Sequence, residues 1–241
     1  MTKVALQLLA HASRRGGDAL RRVLRGARRR IAVPPPGGFQ PYNFTAPNRF
    51  PWLFEFARRE LDGIARPHLL SFGCSWGDEV MTLREYFPAA VIKGIDIDPR
   101  NIARCLSRRP PGASIDFAAA AGTDAEPSRH YDAIFCLGVL CHGDLTTYGA
   151  IRSDPILKFA AFERTVADFA RCLKAGGLLV LHTTNFRFCD TAVCDDFAVV
   201  LEAAPHQLTA DVLFDTDNRL MPGVRYRAVA FRKRPAPGCT P

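Results

Sequence analysis

From Asn48 onward the apolar positions follow two alternating rhythms. In NRFPWLFEFARRELDGIA, Phe50, Leu53, Phe54, Phe56, Ala57, Leu61 and Ile64 recur at helical spacing. Asn48 is placed to cap that helix and Pro51 to sit in its first turn. Short apolar runs then alternate with amphipathic ones. HLLSF (68–72), AVIKGID (90–96), ASIDFA (113–118), YDAIFCL (131–137) and GLLVLHT (177–183) have the length and content of strands. DEVMTLREYF (78–87), PRNIARCLSRR (99–109) and PILKFAAFERTVADFARCLK (155–174) read as helices, the last stopped by Gly176-Gly177. TAVCDDFAVVLEA (191–203) reads as one more helix. HQLTADVLF (206–214) and VRYRAVAFRK (224–233) flank DTDNRLMPG as a hairpin. Strands separated by helices predict an α/β fold: a doubly wound, mostly parallel sheet with an antiparallel C-terminal hairpin.

The segment before Asn48 breaks this pattern. VALQLLAHASRRGGDALRRVLRGARRR can be drawn as a basic amphipathic helix interrupted at Gly16-Gly17, and equally as a solvated tail. PPPGGFQP (34–41) reads as a linker. The expected organisation is a basic tail over 1–33, a Pro/Gly-rich linker over 34–47, one domain over 48–234 and a short tail over 235–241.

Charge sharpens this division. The net charge is +8, and residues 1–33 alone hold Lys3 and eight arginines against Asp18. The remainder is therefore neutral, which argues against a nucleic-acid binding face on the domain. An anionic membrane surface or an acidic partner for the tail is the corresponding functional expectation. No apolar run approaches the roughly 18–20 residues of a membrane span. The eight cysteines, at 74, 105, 136, 141, 172, 189, 194 and 239, form no CxxC pair. No secretory signal precedes them, so reduced thiols and a cytoplasmic location are expected. Cys136-x4-Cys141 and Cys189-x4-Cys194 fit no common zinc spacing, and no metal is expected.

The candidate chemistry lies in LLSFGCSWGDEV (69–80), where the first strand turns into its helix through Gly73, Ser75 and Gly77. Small residues there let the backbone approach a ligand. The next strand ends in Asp96, where a carboxylate accepts hydrogen bonds from two ribose hydroxyls, a nucleoside-binding arrangement. A nucleoside triphosphate loop needs a lysine that this loop lacks. A dinucleotide loop needs a third glycine, and Asp78-Glu79 would repel its pyrophosphate. A cationic nucleoside without phosphates remains.

These residues resemble the class I S-adenosylmethionine-dependent methyltransferases over roughly 48–234. LLSFGCSWGDE is similar to their motif I in the GCSxGEE variant found in chemotaxis-receptor methyltransferases. VIKGIDIDPRNI is similar to motif II, YDAIFCLGVLCH to motif IV, and CLKAGGLLVLHT to the segment that follows. The chain departs from the family pattern at Ser71, where an acid is common, and at Ala121, where an adenine-contacting acid often stands. The resemblance implies S-adenosylmethionine as methyl donor, with Gly73, Cys74, Ser75, Gly77 and Glu79 around its methionine part. Asp96 would hold the ribose, Ile97 would lie against adenine, and Cys136 and Leu137 would flank the methyl group. Asp78 and Glu79 either serve the helix N-terminus or touch the cofactor, Trp76 either packs or shelters it, and Asp98 and Asp132 are structural. The acceptor, a small molecule, a sugar or lipid intermediate or a protein side chain, is expected over the loop 137–154. His142 is the favoured general base there, with Asp144 and Tyr148 beside it. Asn185, Phe186 and Arg187 are candidates for shaping the acceptor pocket, and FQPYNFTAPNRF (39–50) is a candidate lid. The competing reading is a non-catalytic nucleoside-binding scaffold of the same fold; a nicotinamide oxidoreductase is a distant third.

Overall fold

The computed structural model describes residues 32–209 and 211–235. The basic segment 1–31 and the tail beyond 235 lie outside the described residues. Helix α1 spans Pro51–Glu60, β1 His68–Phe72, α2 Asp78–Tyr86, β2 Val91–Asp96, α3 Pro99–Arg108 and β3 Ile115–Ala119. There follow β4 at Tyr131–Leu137, α4 at Gly143–Thr147, α5 at Phe159–Cys172, β5 at Leu173–His182, β6 at Phe197–Glu202 and β7 at Ala228–Lys233.

The seven strands form one sheet in the order β3-β2-β1-β4-β5-β7-β6. The first five run parallel; β7 pairs antiparallel with both β5 and β6. Strand order reverses between β1 and β4, which opens a crevice at their carboxyl ends. Alternation along the strands sorts the core into two layers. Leu69, Ile92, Ile115, Phe117, Ala133, Phe135, Leu178 and Val180 join Leu53, Phe54, Val80, Leu83, Ile102 and Cys105 from α1, α2 and α3 in one cluster. On the opposite face Phe72 meets Phe169 of α5 edge-on at 4.9 Å. Phe162 and Phe159 extend that layer against Phe186.

Helix ends partly follow the sequence. Asp98 caps α3, accepting from the Arg100 N–H at 2.9 Å, with Pro99 in the first turn. Asn48 does not cap α1. Phe50 holds that position without a side-chain cap, while the Asn48 N–H is bound to Thr82 Oγ1. Asp132 is structural as expected: at the amino end of β4 it accepts from the His68 N–H and from Lys174 Nζ, each at 2.8 Å. The 155–174 helix begins only at Phe159, and β5 starts at Leu173, ahead of Gly176-Gly177.

Two expectations fail at the C-terminal side. The 191–203 segment is not a helix. It makes a single 3-10 turn at Cys194–Asp196 and then strand β6. Its β-branched Val199-Val200 and alternating burial suit a pleated edge, and pairing with β7 decides the outcome. The antiparallel C-terminal pair is therefore built from 197–202, not 206–214. The latter segment contributes one isolated bridge, Phe214 to Leu220. Residues 34–47, expected as a linker, pack onto the domain instead. Phe39 is buried, Tyr42 donates to Asp144 at 3.0 Å, and Asn43 pairs with Asn101. No described helix is long and apolar enough to cross a membrane.

Candidate active site

A cleft of about 740 Å³, open mouth included, lies over the carboxyl ends of β1, β2 and β4. Its floor is the turn after β1. Gly73, Ser75 and Gly77 all adopt positive φ, at 74°, 49° and 87°. The Gly73 and Cys74 N–H groups donate to the Ile95 carbonyl at 2.7 and 2.9 Å, so β2 holds the turn in place. Gly73 is needed for a second reason: a Cβ there would stand 2.4 Å from Val139 Cγ2. The bare flank of the glycine thus faces the loop after β4, and it is the main chain that opens onto the cleft.

Asp96 is 6% exposed and is the pivot of the site. Its Oδ2 accepts the Ser75 N–H at 2.8 Å, and Oδ1 accepts the Asp98 N–H and Asn101 Nδ2, each at 2.9 Å. One carboxylate therefore fixes the turn, the start of α3 and the cleft wall together. The Ser75 hydroxyl beside it is buried without a hydrogen-bond partner. A buried polar group left unpaired is costly, and a ligand hydroxyl or amine would satisfy it.

Glu79 reaches the cleft from the first turn of α2 and accepts from Ser71 Oγ at 2.7 Å. Where β1 lacks an acid, the helix supplies one against the serine. Burial pushes its carboxyl up to about 7, opposed by the Ser71 hydrogen bond and by Arg49. Arg49 lines the same cleft, donating to the Phe44 and Leu137 carbonyls at 2.8 Å each and lying 4.6 Å over the Phe50 ring. Partial burial lowers the pKa of its guanidinium, but from a value so high that it stays charged. The cleft thus presents one fixed cation, one titrating acid and one hydrogen-bonded carboxylate.

Of the residues expected in the site, Gly73, Cys74, Ser75, Glu79, Asp96, Ile97 and Leu137 line this cleft. Gly77 and Cys136 do not. Gly77 turns the chain into α2 against Cys105, and Cys136 is buried on the other face of β4, where desolvation raises its thiol pKa. His142 is fully buried and lines neither this cleft nor the next. Its Nε2 meets the Ala32 carbonyl at 2.8 Å, and its N–H donates to Asn185 Oδ1 at 2.6 Å. Asp78 is occupied by Arg108 at 2.9 Å, and Trp76 stacks under Arg104 at 4.3 Å, away from the cleft. The 39–50 segment forms the outer wall, with Gln40 donating to the Gly138 carbonyl. Arg49 had no signature at the sequence level: no spacing ties it to the motifs, and only the aromatic character of its segment pointed there. Ala120 and Ala121 line the far end, where a Cβ on Gly37 would lie 3.1 Å from Ala121.

A second cavity, about 1200 Å³ with its mouth, begins one strand away, at the end of β5. His182 is on its wall and is the register partner of Leu137. The His182 ring is met edge-on by Phe50 at 4.7 Å and Trp52 at 5.5 Å. Burial, reinforced by Arg49, pushes its pKa down to about 4, against an opposing pull from Asp211.

Residues 70–179 match the family described as "Methyltransferase domain". That stretch runs from β1 through most of β5 and includes the glycine turn, Asp96 and the end of β4. No curated protein matches the chain. Among solved structures, the N-methyltransferase NodS from Bradyrhizobium japonicum WM9 is 17% identical, with a TM-score of 0.49, over 78% of this chain and 99% of its own. The sugar N-methyltransferase KedS8 from a Streptoalloteichus species is 25% identical, with a TM-score of 0.39, over 54% and 45%. An S-adenosylmethionine dependent methyltransferase from Mesorhizobium loti is 20% identical, with a TM-score of 0.36, over 52% and 50%. This chain spans about half the length of the latter two.

Proposed function

We propose that this chain is a class I S-adenosylmethionine-dependent methyltransferase, and that the donor lies along the glycine turn with its amino-acid end between Arg49 and Glu79 and its ribose on Asp96. The observation that carries this placement is the charge pattern of the cleft. Arg49 suits a carboxylate, Glu79 an ammonium group, and Asp96 a diol, in one continuous lining without a phosphate-binding lysine. The orphaned Ser75 hydroxyl adds a polar contact on the same wall. Bound there, S-adenosylmethionine supplies a methyl group on a sulfonium, an excellent leaving group.

The protein's part is then alignment and exclusion of water. The turn from Gly73 to Ser75 fixes the depth of the donor, Leu137 and Val139 close the side facing β4, and the 39–45 segment covers the outer face. The acceptor enters over the ends of β4 and β5. Calorimetry with S-adenosylmethionine and S-adenosylhomocysteine tests this directly. Micromolar binding of both is expected, with Arg49→Met about tenfold weaker, or ~1.4 kcal/mol. NADH serves as the control that binds to neither. No heat with either adenosyl ligand would remove the reading.

Glu79 gives the site a pH signature. In the free protein its raised pKa means that the fold holds this proton more tightly than the unfolded chain does. That contribution to stability is complete below the unfolded value of roughly 4.3–4.5 and is lost as pH rises through about 7. An ammonium group beside Glu79 favours the ionised form, so the expected binding has the opposite sign. Affinity for S-adenosylhomocysteine should rise from pH 6 to 8, with proton release detectable as a buffer-dependent enthalpy. Glu79→Gln should flatten both effects; an unchanged pH profile in that variant would place the ammonium elsewhere.

A further inference from the structure

We propose that the second cavity is the acceptor pocket and that it takes a primary or secondary amine on an apolar body, with the nitrogen drawn to Asp211. This rests on the methyltransferase reading above. His182, on the cavity's wall, is paired in register with Leu137 of the donor cleft. Neighbouring strands lie about 4.8 Å apart, which brings the two sites within reach of one transferred methyl group. The Gly138 N–H also donates to the His182 carbonyl at 2.8 Å, so the two walls are one structure.

The lining decides the class of acceptor. Leu181, Val212, Leu213, Met221 and Val229 give it an apolar side, and Thr183, Thr184 and Thr209 a polar one. Against this stands Asp211. Among the described residues it is in no ion pair, and its side chain accepts only from Thr146 Oγ1, at 3.3 Å. A carboxylate that lines a cavity without an ion pair selects a cationic guest. His182 does not oppose one, because burial keeps its imidazole neutral. Arg225, the cation of the lining, is exposed at the surface.

The chemistry balances without a further reagent. The amine arrives as an ammonium ion and gives up one proton, through Asp211, to solvent. Its lone pair then forms the C–N bond as the C–S bond breaks with its electron pair going to sulfur. The positive charge passes to nitrogen, where Asp211 stabilises it, and the methylated ammonium leaves charged.

The test uses the full chain saturated with S-adenosylhomocysteine. Binding of hexylamine and 2-phenylethylamine is compared with that of hexanol and 2-phenylethanol, for wild type and Asp211→Asn. The amines are expected to bind at least tenfold tighter than the matched alcohols. Asp211→Asn should abolish that preference while keeping its S-adenosylhomocysteine affinity and its alcohol binding. Should Asp211→Asn fold poorly, the wild-type comparison decides alone. Amines that bind no tighter than alcohols, with S-adenosylhomocysteine still bound, overturn the amine pocket and leave the donor site standing. A wild-type protein that binds no S-adenosylhomocysteine overturns the donor site and this inference with it.

Discussion

Asp96→Ala weakens S-adenosylmethionine and S-adenosylhomocysteine by ten- to a hundredfold. On the proposed placement the direct part is the loss of a charged acceptor for the ribose hydroxyls, about 1.5–3 kcal/mol. The indirect part adds to it, because the same carboxylate accepts the Ser75 N–H, the Asp98 N–H and Asn101 Nδ2. Removing it leaves donors in a wall that is barely hydrated, and the turn loses the tie that holds Ser75. A stability loss of about 2–4 kcal/mol follows, or a fall in Tm of roughly 2–4 °C for each kcal/mol in a chain of this size. Asp96→Asn separates the two parts. An amide oxygen still accepts the Ser75 N–H, but its NH2 faces two donors on the other side. Binding should drop nearly as far as in Asp96→Ala, with a smaller fall in Tm. Calorimetry and thermal unfolding on both variants check this, and undiminished affinity in Asp96→Ala would withdraw the ribose assignment.

Asn185→Leu should be the most destabilising single change on the acceptor side. Asn185 is fully buried and ties three segments together. Its N–H donates to the Leu140 carbonyl at 3.2 Å and its Oδ1 accepts the His142 N–H at 2.6 Å. Its Nδ2 donates to the Val212 carbonyl at 2.8 Å, and its own carbonyl accepts the Phe214 N–H at 2.9 Å. Leucine keeps the volume but strands the His142 N–H and the Val212 carbonyl, each costing about 1–3 kcal/mol. The sum, roughly 2–6 kcal/mol, corresponds to a Tm lower by about 4–24 °C at roughly 2–4 °C per kcal/mol. Asn185→Asp still accepts from His142 but buries a carboxylate against the Val212 carbonyl, so its loss should be at least as large and should grow as pH rises. Methyl transfer should suffer more than donor binding in both, since the tied segments wall the second cavity. A Leu variant melting with the wild type would show that the clamp is dispensable.

Much of this molecule is written in local pattern. The first five strands, the cap at Asp98 and the place of Gly73 and Asp96 in the cleft follow from spacing within a few residues, where turn chemistry and strand period act alone. The errors fall where distant partners decide. Residues 191–203 have a helix-compatible composition, and only the arrival of β7 makes 197–202 a strand. His142 reads as a general base because its loop is long and polar. In the fold, Asn185 and Ala32 reach it across 43 and 110 positions and bury it. Arg49 and Asp211 belong to no motif; each matters through what faces it across a cavity. The 34–47 segment reads as a spacer from its prolines and glycines, yet Phe39 and the Tyr42 hydroxyl give it anchors that composition does not show.

The place of β7 between β5 and β6 imposes an order of assembly. Until Ala228–Lys233 slots in, β5 offers an open flank and β6 has nothing to pair with. Both carry bare N–H and C=O rows next to apolar side chains, the condition under which chains join edge to edge. A chain cut before residue 228 would therefore not persist as a smaller enzyme with an intact donor cleft. It would leave the flanks of β5 and β6 open to other chains, and the last strand acts as the bolt between them.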